Sequence, residues 1–330
     1  MILKSLPMKV IEIGENIKNM KIRGAGRIAR AAAEALKIAA EEYRGNDPQD
    51  FVKYMNSVGQ YLTSTRPTAV SLPNAVAYII SRLYKAFQHT NDVDKLRTIV
   101  ITSANEFIEY SLKAIEKIGI IGSKRIEKGD TILTHCNSSA AISIIKHAHE
   151  QGKDIKVFAT ETRPRFQGHI TARELANAGI DVTLIPDSAI RLVMKKVDKV
   201  VVGADTITAN GALINKIGTS QIALAAKEAR VRFFVAAETY KFSPITVLGE
   251  LVVIEERDPS EIVDLNILKN YMYIKVSNPA FDVTPPNYID AIITELGIIP
   301  PQAAIMILKD FFGWAIQEYE SRGFEESEPT

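Results

Sequence analysis

The apolar and polar positions of the chain follow two different periods. In the first third, Ile28, Ala32, Ala35, Leu36 and Ala39 recur at i, i+4, i+7, i+8 and i+11, the stripe of a helix with one buried face. Similar stripes run through 50–62, 75–88 and 93–117, and residues 11–22 also read as helical. Residues 1–125 are therefore expected to form an N-terminal α-helical domain. From about residue 130, short β-branched runs take over, at 131–134, 155–160, 182–185, 199–202 and 231–236. Helical stretches at 139–150, 171–178, 188–193 and 220–230 separate them. Strands alternating with helices are the mark of βαβ units. The expected fold class is thus α/β, with residues 126–330 forming a Rossmann-like, mainly parallel, doubly wound sheet domain. Residues 278–301 are rich in proline, an amphipathic helix is expected over 302–319, and the acidic tail after Gly323 reads as disordered.

Composition narrows the function. The 330 residues carry 40 Lys plus Arg against 39 Asp plus Glu, a net charge of +1, so no broad basic field exists for nucleic acid, although local arginines can still hold a phosphate. A single Cys makes no internal disulfide, and with no Cys pair or His-x-x-x-His spacing no metal site is expected. No apolar run approaches the ~18 residues that span a bilayer, and the first residues lack a signal peptide's long apolar centre. A soluble cytoplasmic protein with no membrane or nucleic-acid partner is expected.

Ligands of open α/β sheets bind outside the carboxyl ends of the strands, where chain direction switches. Cys136 follows the first strand in Thr134-His135-Cys136-Asn137-Ser138-Ser139, just before a helix. It is either a buried structural thiol or a nucleophile or base whose pKa the helix N-terminus lowers. Asp205 ends the strand of 199–202, as a turn residue or a catalytic acid. A hairpin-like excursion with an Asn210-Gly211 turn then leads to Asn215 and Lys216 beside a helix entrance, suited to an oxyanion or sugar hydroxyls, or simply to solvent. Gly24-Ala25-Gly26-Arg27-Ile28-Ala29 formally matches the dinucleotide fingerprint. No strand precedes it, so no nicotinamide cofactor is expected. Flanked by Arg23, Arg27 and Arg30, it reads instead as a phosphate cradle or a helix-packing glycine pair. Arg66 and Arg163 each precede a proline, which fixes an extended backbone, and Lys241 follows the strand of 231–236. For each, a surface ion pair is the alternative. His135 reads as a packing or hydrogen-bonding residue.

In this order, Arg23-Gly24-Ala25, Thr65-Arg66-Pro67-Thr68-Ala69-Val70, Thr134-His135-Cys136-Asn137, Glu161-Thr162-Arg163-Pro164, Gly203-Ala204-Asp205, Asn215-Lys216-Ile217-Gly218-Thr219 and Phe281-Asp282-Val283-Thr284-Pro285-Pro286 resemble the sugar-phosphate isomerases related to translation initiation factor 2B, over nearly the whole chain. Three branches share the fold. Cys136 and Asp205 together argue against the non-catalytic initiation-factor subunits. Gly26-Arg27-Ile28-Ala29 and Asn137-Ser138-Ser139 depart from the methylthioribose-1-phosphate isomerase pattern. The archaeal ribose 1,5-bisphosphate isomerase branch matches, including Ala237-Glu238-Thr239-Tyr240-Lys241-Phe242. The resemblance implies an aldose–ketose isomerase that makes ribulose 1,5-bisphosphate in AMP breakdown feeding RuBisCO, without a cofactor. Cys136 would be the base and Asp205 the acid. Arg23, Gly24, Ala25, Gly26, Arg66, Ser138, Ser139, Ala140, Asn215, Lys216 and Lys241 would surround a bisphosphorylated sugar. It further implies a homo-oligomer built on dimers, a hexamer. On this reading the thiol should be acidified by the helix N-terminus and nearby arginines, and Asp205 kept protonated by a dry site.

Overall fold

The computed structural model describes residues 6–249, 251–269, 271 and 273–310. The chain divides into two compact units, Met1–Ala114 and Ile115–Thr330; the division falls inside a helix of 31 residues that begins at Val93.

The first unit is helical: α1 (Met8–Lys18), α2 (Ala25–Glu42), α3 (Pro48–Thr65), α4 (Ser71–Phe87) and the start of α5 (Val93–Ser123). The stripe of α2 is buried as its period requires, Ile28, Ala32, Ala35, Leu36 and Ala39 all facing inward. With Phe51, Met55, Leu62, Leu72, Ile79 and Leu83 they are part of the unit's core. Local chemistry sets the start of α3, where Asp47 accepts the Asp50 N–H at 2.9 Å and Pro48 takes the first turn.

The second unit is built on β1 (Thr131–Thr134), α6 (Ser139–Glu150), β2 (Lys156–Thr160), α7 (Gln167–Asn177), β3 (Asp181–Ile185), α8 (Ile190–Val193), β4 (Lys199–Gly203), β5 (Thr206–Ile207), β6 (Leu213–Lys216), α9 (Thr219–Ala229), β7 (Arg232–Ala236), α10 (Leu265–Leu268), β8 (Phe281–Thr284), β9 (Ala291–Thr294) and β10 (Gly297–Ile299). Seven strands form one sheet in the order β10-β9-β7-β4-β1-β2-β3, all parallel except β10, which pairs antiparallel with β9. Both faces are covered, and the pleat decides which residue meets which layer. Leu133, Val200, Val202, Phe233, Val235 and Ile292 pack with Ile190 of α8 and Ile222 and Ala226 of α9. Their neighbours Ile132, Val201, Phe234 and Ile293 face the other way, onto Ile118 of α5, Ile144 and Ile145 of α6 and Leu175 of α7. A second, antiparallel sheet has the order β5-β6-β8; its hairpin turns at the Asn210-Gly211 pair expected to turn.

The proline-rich segment holds more order than its composition implied. It carries β8, β9 and β10, and Pro285, Pro286, Pro300 and Pro301 lie between or after the strands rather than inside them. Residues 188–193 form a short α8 between two 3₁₀ turns rather than one helix. Residues 304–310 are helical; the rest of the helix expected over 302–319, and the acidic tail, lie outside the described residues.

Candidate active site

The chain runs β1, β2, β3 toward one edge of the sheet, then returns to β4 and runs β7, β9 toward the other. The switch point lies between β1 and β4, and open α/β sheets bind ligands at the carboxyl ends of the strands at such a point. Cys136 lies just past β1 and Asp205 just past β4, and these two strands are paired neighbours, Leu133 opposite Val200. Adjacent strands are ~4.8 Å apart, so the topology alone sets the thiol and the carboxyl group side by side. Asp205 is anchored through its N–H to the Ile214 carbonyl at 3.1 Å.

Cys136 is half-buried. It has a left-handed backbone, φ 64°, unusual for a residue with a Cβ. Its N–H donates to Thr162 Oγ1 at 2.9 Å and its carbonyl accepts from Thr171 Oγ1 at 2.6 Å. The thiol is pushed up to about 11, chiefly by burial, with Asp205 and Asp187 adding to the rise and Lys216 and the Asn137 N–H opposing it. The acidified thiol expected from the strand-end position is therefore corrected: in the free site desolvation outweighs the cation, and the sulfur carries its proton.

Ser138 caps α6, accepting the Ala141 N–H. It fits because residue 203 on the adjacent strand is glycine: a Cβ there would collide with the Ser138 side chain. Ser139 is exposed and Ala140 buried in the first turn of α6. On β6, Asn215 donates to Thr219 Oγ1 at 3.0 Å, and the Lys216 ammonium lies over the Phe281 ring, 4.9 Å from its centroid. The N-terminus of α9 is already occupied by an anion of the protein's own. Asp282 of β8 accepts the Gly218 N–H at 2.7 Å and the Ser220 N–H at 3.1 Å. Burial nevertheless raises Asp282 to about 6.

Lys241 is buried, its ammonium 2.6 Å from Glu238 Oε2, and Glu238 Oε1 accepts the Tyr240 hydroxyl at 3.0 Å. Two residues on, the Ser243 N–H donates to the Ile207 carbonyl at 2.8 Å, which lays this segment along β5, the strand that follows Asp205. Lys241 is thus a fixed donor with its own counterion. Arg163 stacks on Phe166, 5.0 Å from the ring centroid, and Arg165 pairs with Glu261 at 3.0 Å.

In the first unit, Gly24 is the N-cap of α2 with φ 85°. Ala25 and Gly26 open that helix, and Arg23 Nε donates to the Met20 carbonyl at 2.7 Å. Arg66 ends α3. Ser71, at the start of α4, donates to the Ala25 carbonyl at 2.9 Å, which ties the loop carrying Arg66 to the glycine-rich turn. Arg30 is bonded to Ser111 at 2.9 Å, and so supports the helix packing.

Four residues around the thiol escape a reading by motif: Thr160, Thr162, Thr171 and Asp187. Thr162 lies within Glu161-Thr162-Arg163-Pro164, but only the third dimension shows that the side chain of Thr162, rather than of Arg163, meets Cys136. Asp282 lies in the Phe281-Asp282-Val283-Thr284 motif, which was the available signal.

A thiol and a carboxyl group on neighbouring strand ends, with a lysine beside them, are the parts of an acid–base site at the switch point of an open α/β sheet. Residues 21–301 match the Initiation factor 2 subunit family, and the chain belongs to that family. It is 58% identical over 313 residues to ribose 1,5-bisphosphate isomerase of Thermococcus kodakarensis, covering 94% of this chain and 97% of that protein. It is 41% identical to methylthioribose-1-phosphate isomerase of Acetivibrio thermocellus, covering 88% of each. Among solved structures, a Pyrococcus horikoshii protein described as translation initiation factor eIF-2B superposes with a TM-score of 0.78 at 35% identity, covering 91% of this chain and 100% of that one.

Proposed function

We propose that the protein is an aldose–ketose isomerase that converts α-D-ribose 1,5-bisphosphate to D-ribulose 1,5-bisphosphate, with Cys136 and Asp205 as its acid–base pair. The observation that carries this reading is the 58% identity to a ribose 1,5-bisphosphate isomerase, against 41% to a methylthioribose-1-phosphate isomerase; the thiol and carboxyl on adjacent strand ends supply the chemistry.

The neutral thiol fits the first step. As the bond from C1 to the ring oxygen breaks, the ring oxygen takes a proton, which Cys136 gives up. The resulting thiolate, eased by Lys216, removes the proton from C2, leaving an enol that keeps its phosphate on O1. The Asp205 carboxylate accepts the proton of the C2 hydroxyl and delivers it to C1 as the ketone forms. Both groups end as they began, and no electron leaves the substrate. Two dianionic phosphates need donors. Arg23, the N–H groups of Gly24, Ala25 and Gly26, Arg66, Ser138, Ser139, Ala140, Asn215, Lys216 and Lys241 are proposed for that work.

The family resemblance supports a cytoplasmic role in AMP breakdown and a hexamer built from dimers. Purified protein incubated with ribose 1,5-bisphosphate should yield ribulose 1,5-bisphosphate, with methylthioribose 1-phosphate turned over far more slowly. Cys136→Ser and Asp205→Asn should each lose ~10²–10⁴-fold in kcat. Full turnover by Cys136→Ser would overturn its role.

A further inference from the structure

Cys136 is held in an unfavourable backbone conformation by buried side chains. Two neighbours in space share the strain: Cys136 at φ 64° and Thr162 at φ 61°. Left-handed φ is uncommon for any residue with a Cβ and a true outlier for a β-branched one, so it persists only where the surroundings enforce it. Both carboxylate oxygens of Asp187 enforce it at Thr162, accepting the N–H groups of Thr162 at 2.9 Å and Arg163 at 2.7 Å. Thr162 in turn receives the Cys136 N–H, while Thr171 donates to the Cys136 carbonyl.

Behind these lies His135, whose ring nitrogens are both engaged. Nε2 is 2.9 Å from the Ile217 carbonyl and Nδ1 2.6 Å from Thr160 Oγ1. A carbonyl only accepts, so the Nε2 hydrogen is fixed. Burial drives the ring's pKa down to about 4, which leaves it neutral, with Nδ1 as an acceptor for the Thr160 hydroxyl. The Thr162 hydroxyl, which accepts the Cys136 N–H, has the Thr160 carbonyl at 3.3 Å and both Thr160 Oγ1 and His135 Nδ1 at 3.4 Å. The network thus runs from the Cys136 amide through Thr162 to Thr160 and the imidazole, and on to the carbonyl that follows Lys216. All four side chains are buried, Thr160 and Thr162 at 0% exposure, Thr171 at 1% and His135 at 2%. Gly218 brings the loop after β6 against the imidazole, where a Cβ would crowd it.

We propose that Thr160, Thr162, Thr171 and His135 are positioning residues for the thiol. Together they form a buried hydrogen-bonded network that clamps Cys136 in its left-handed conformation and ties it to the strand bearing Asn215 and Lys216. The value of the clamp for turnover rests on Cys136 being the base. The clamp itself is testable without turnover, because the chain has one cysteine and alkylation by iodoacetamide therefore reports on Cys136 alone.

Thr162→Val keeps the shape and removes the acceptor for the Cys136 N–H. We expect kcat to fall at least about tenfold with KM within about twofold, the signature of lost alignment rather than lost binding. Alkylation at pH 8 should rise at least about threefold, as the relaxed loop lets water reach the sulfur. Thr162→Ser, which keeps the hydroxyl, should restore both readouts, and Thr171→Val should repeat the first pattern from the carbonyl side. His135→Gln, whose amide reaches the Ile217 carbonyl, should retain more kcat than His135→Leu. Valine variants with native circular dichroism, wild-type kcat and wild-type alkylation overturn the proposal. So does an unchanged Thr171→Val if Thr162→Val fails to fold. Should Cys136→Ser retain full turnover, the base assignment fails, yet the alkylation rates still decide whether the clamp exists.

Discussion

A thiol withdrawn from water resists ionisation, and a single lysine is too little to reverse that. Cys136 is the case in point, pushed up to about 11 by burial and pulled back in part by Lys216. Alkylation of the free protein should accordingly keep accelerating through pH 9 to 10 instead of levelling off near the ~8.5 of an unperturbed cysteine. Replacing Lys216 by Met removes the nearest helpful charge. The thiol pKa should then rise, and alkylation at pH 9 should slow by about threefold for each half unit; an unchanged rate would show that Lys216 does not act on the sulfur. The position of Cys136 at a strand end was legible from the residues around it. Its proton was not, because desolvation comes from segments distant in sequence that pack around it only after folding.

At the scale of an element, α9 is held by a carboxylate from another strand. Asp282 is drawn onto its first turn by the pairing of β6 with β8, Asn215 lying opposite Asp282. The folded-state pKa of about 6 lies above the ordinary 3.8. Between those values the folded protein binds more protons at this site than the unfolded chain, so the Asp282 contribution to stability is full below about pH 4 and declines as pH rises through 6. Asparagine resembles the protonated side chain. Asp282→Asn should therefore gain on the parent between pH 4 and pH 7 by an amount on the order of 2 kcal/mol, read as the difference in urea midpoints of the two proteins. A constant difference would mean that the N–H groups of α9 hold the carboxylate ionised throughout. The long helices were legible from periodicity, because each buries a whole face, and β1, β2, β3, β4 and β7 from their short β-branched runs. β8, β9 and β10 were not, because the prolines of 278–301 marked the whole segment as irregular; Ala291-Ile292-Ile293-Thr294, the run that forms β9, is as β-branched as the strands that were read.

For the molecule as a whole, Leu251 at 89% exposure, Val253 at 72% and Tyr273 at 90% are more apolar surface than one stretch of chain ordinarily leaves to water. They support the homo-oligomer proposed above. Light scattering at micromolar concentration should give six times the 36.5 kDa of the chain, and Leu251→Asp together with Tyr273→Asp should reduce that mass. A monomeric wild type would overturn the assembly, and a stable dimer would overturn the hexamer. The alternation of strands and helices made the doubly wound architecture legible in the sequence, because parallel neighbours demand crossovers. What no sequence pattern announced was the part played by hydroxyls: threonines at strand ends look alike whether they face water or a cysteine amide.

The switch point has a consequence for how the protein comes into being. Between Cys136 and Asp205 the chain lays down α6, β2, α7, β3 and α8 before returning to pair β4 with β1. Closing so long a loop costs entropy before any contact repays it. A nascent chain that has left the ribosome only as far as β3 has its thiol without its carboxyl partner. Turnover in a refolding mixture would thus count molecules whose central crossover has closed, whereas helix content would already register those that had only begun.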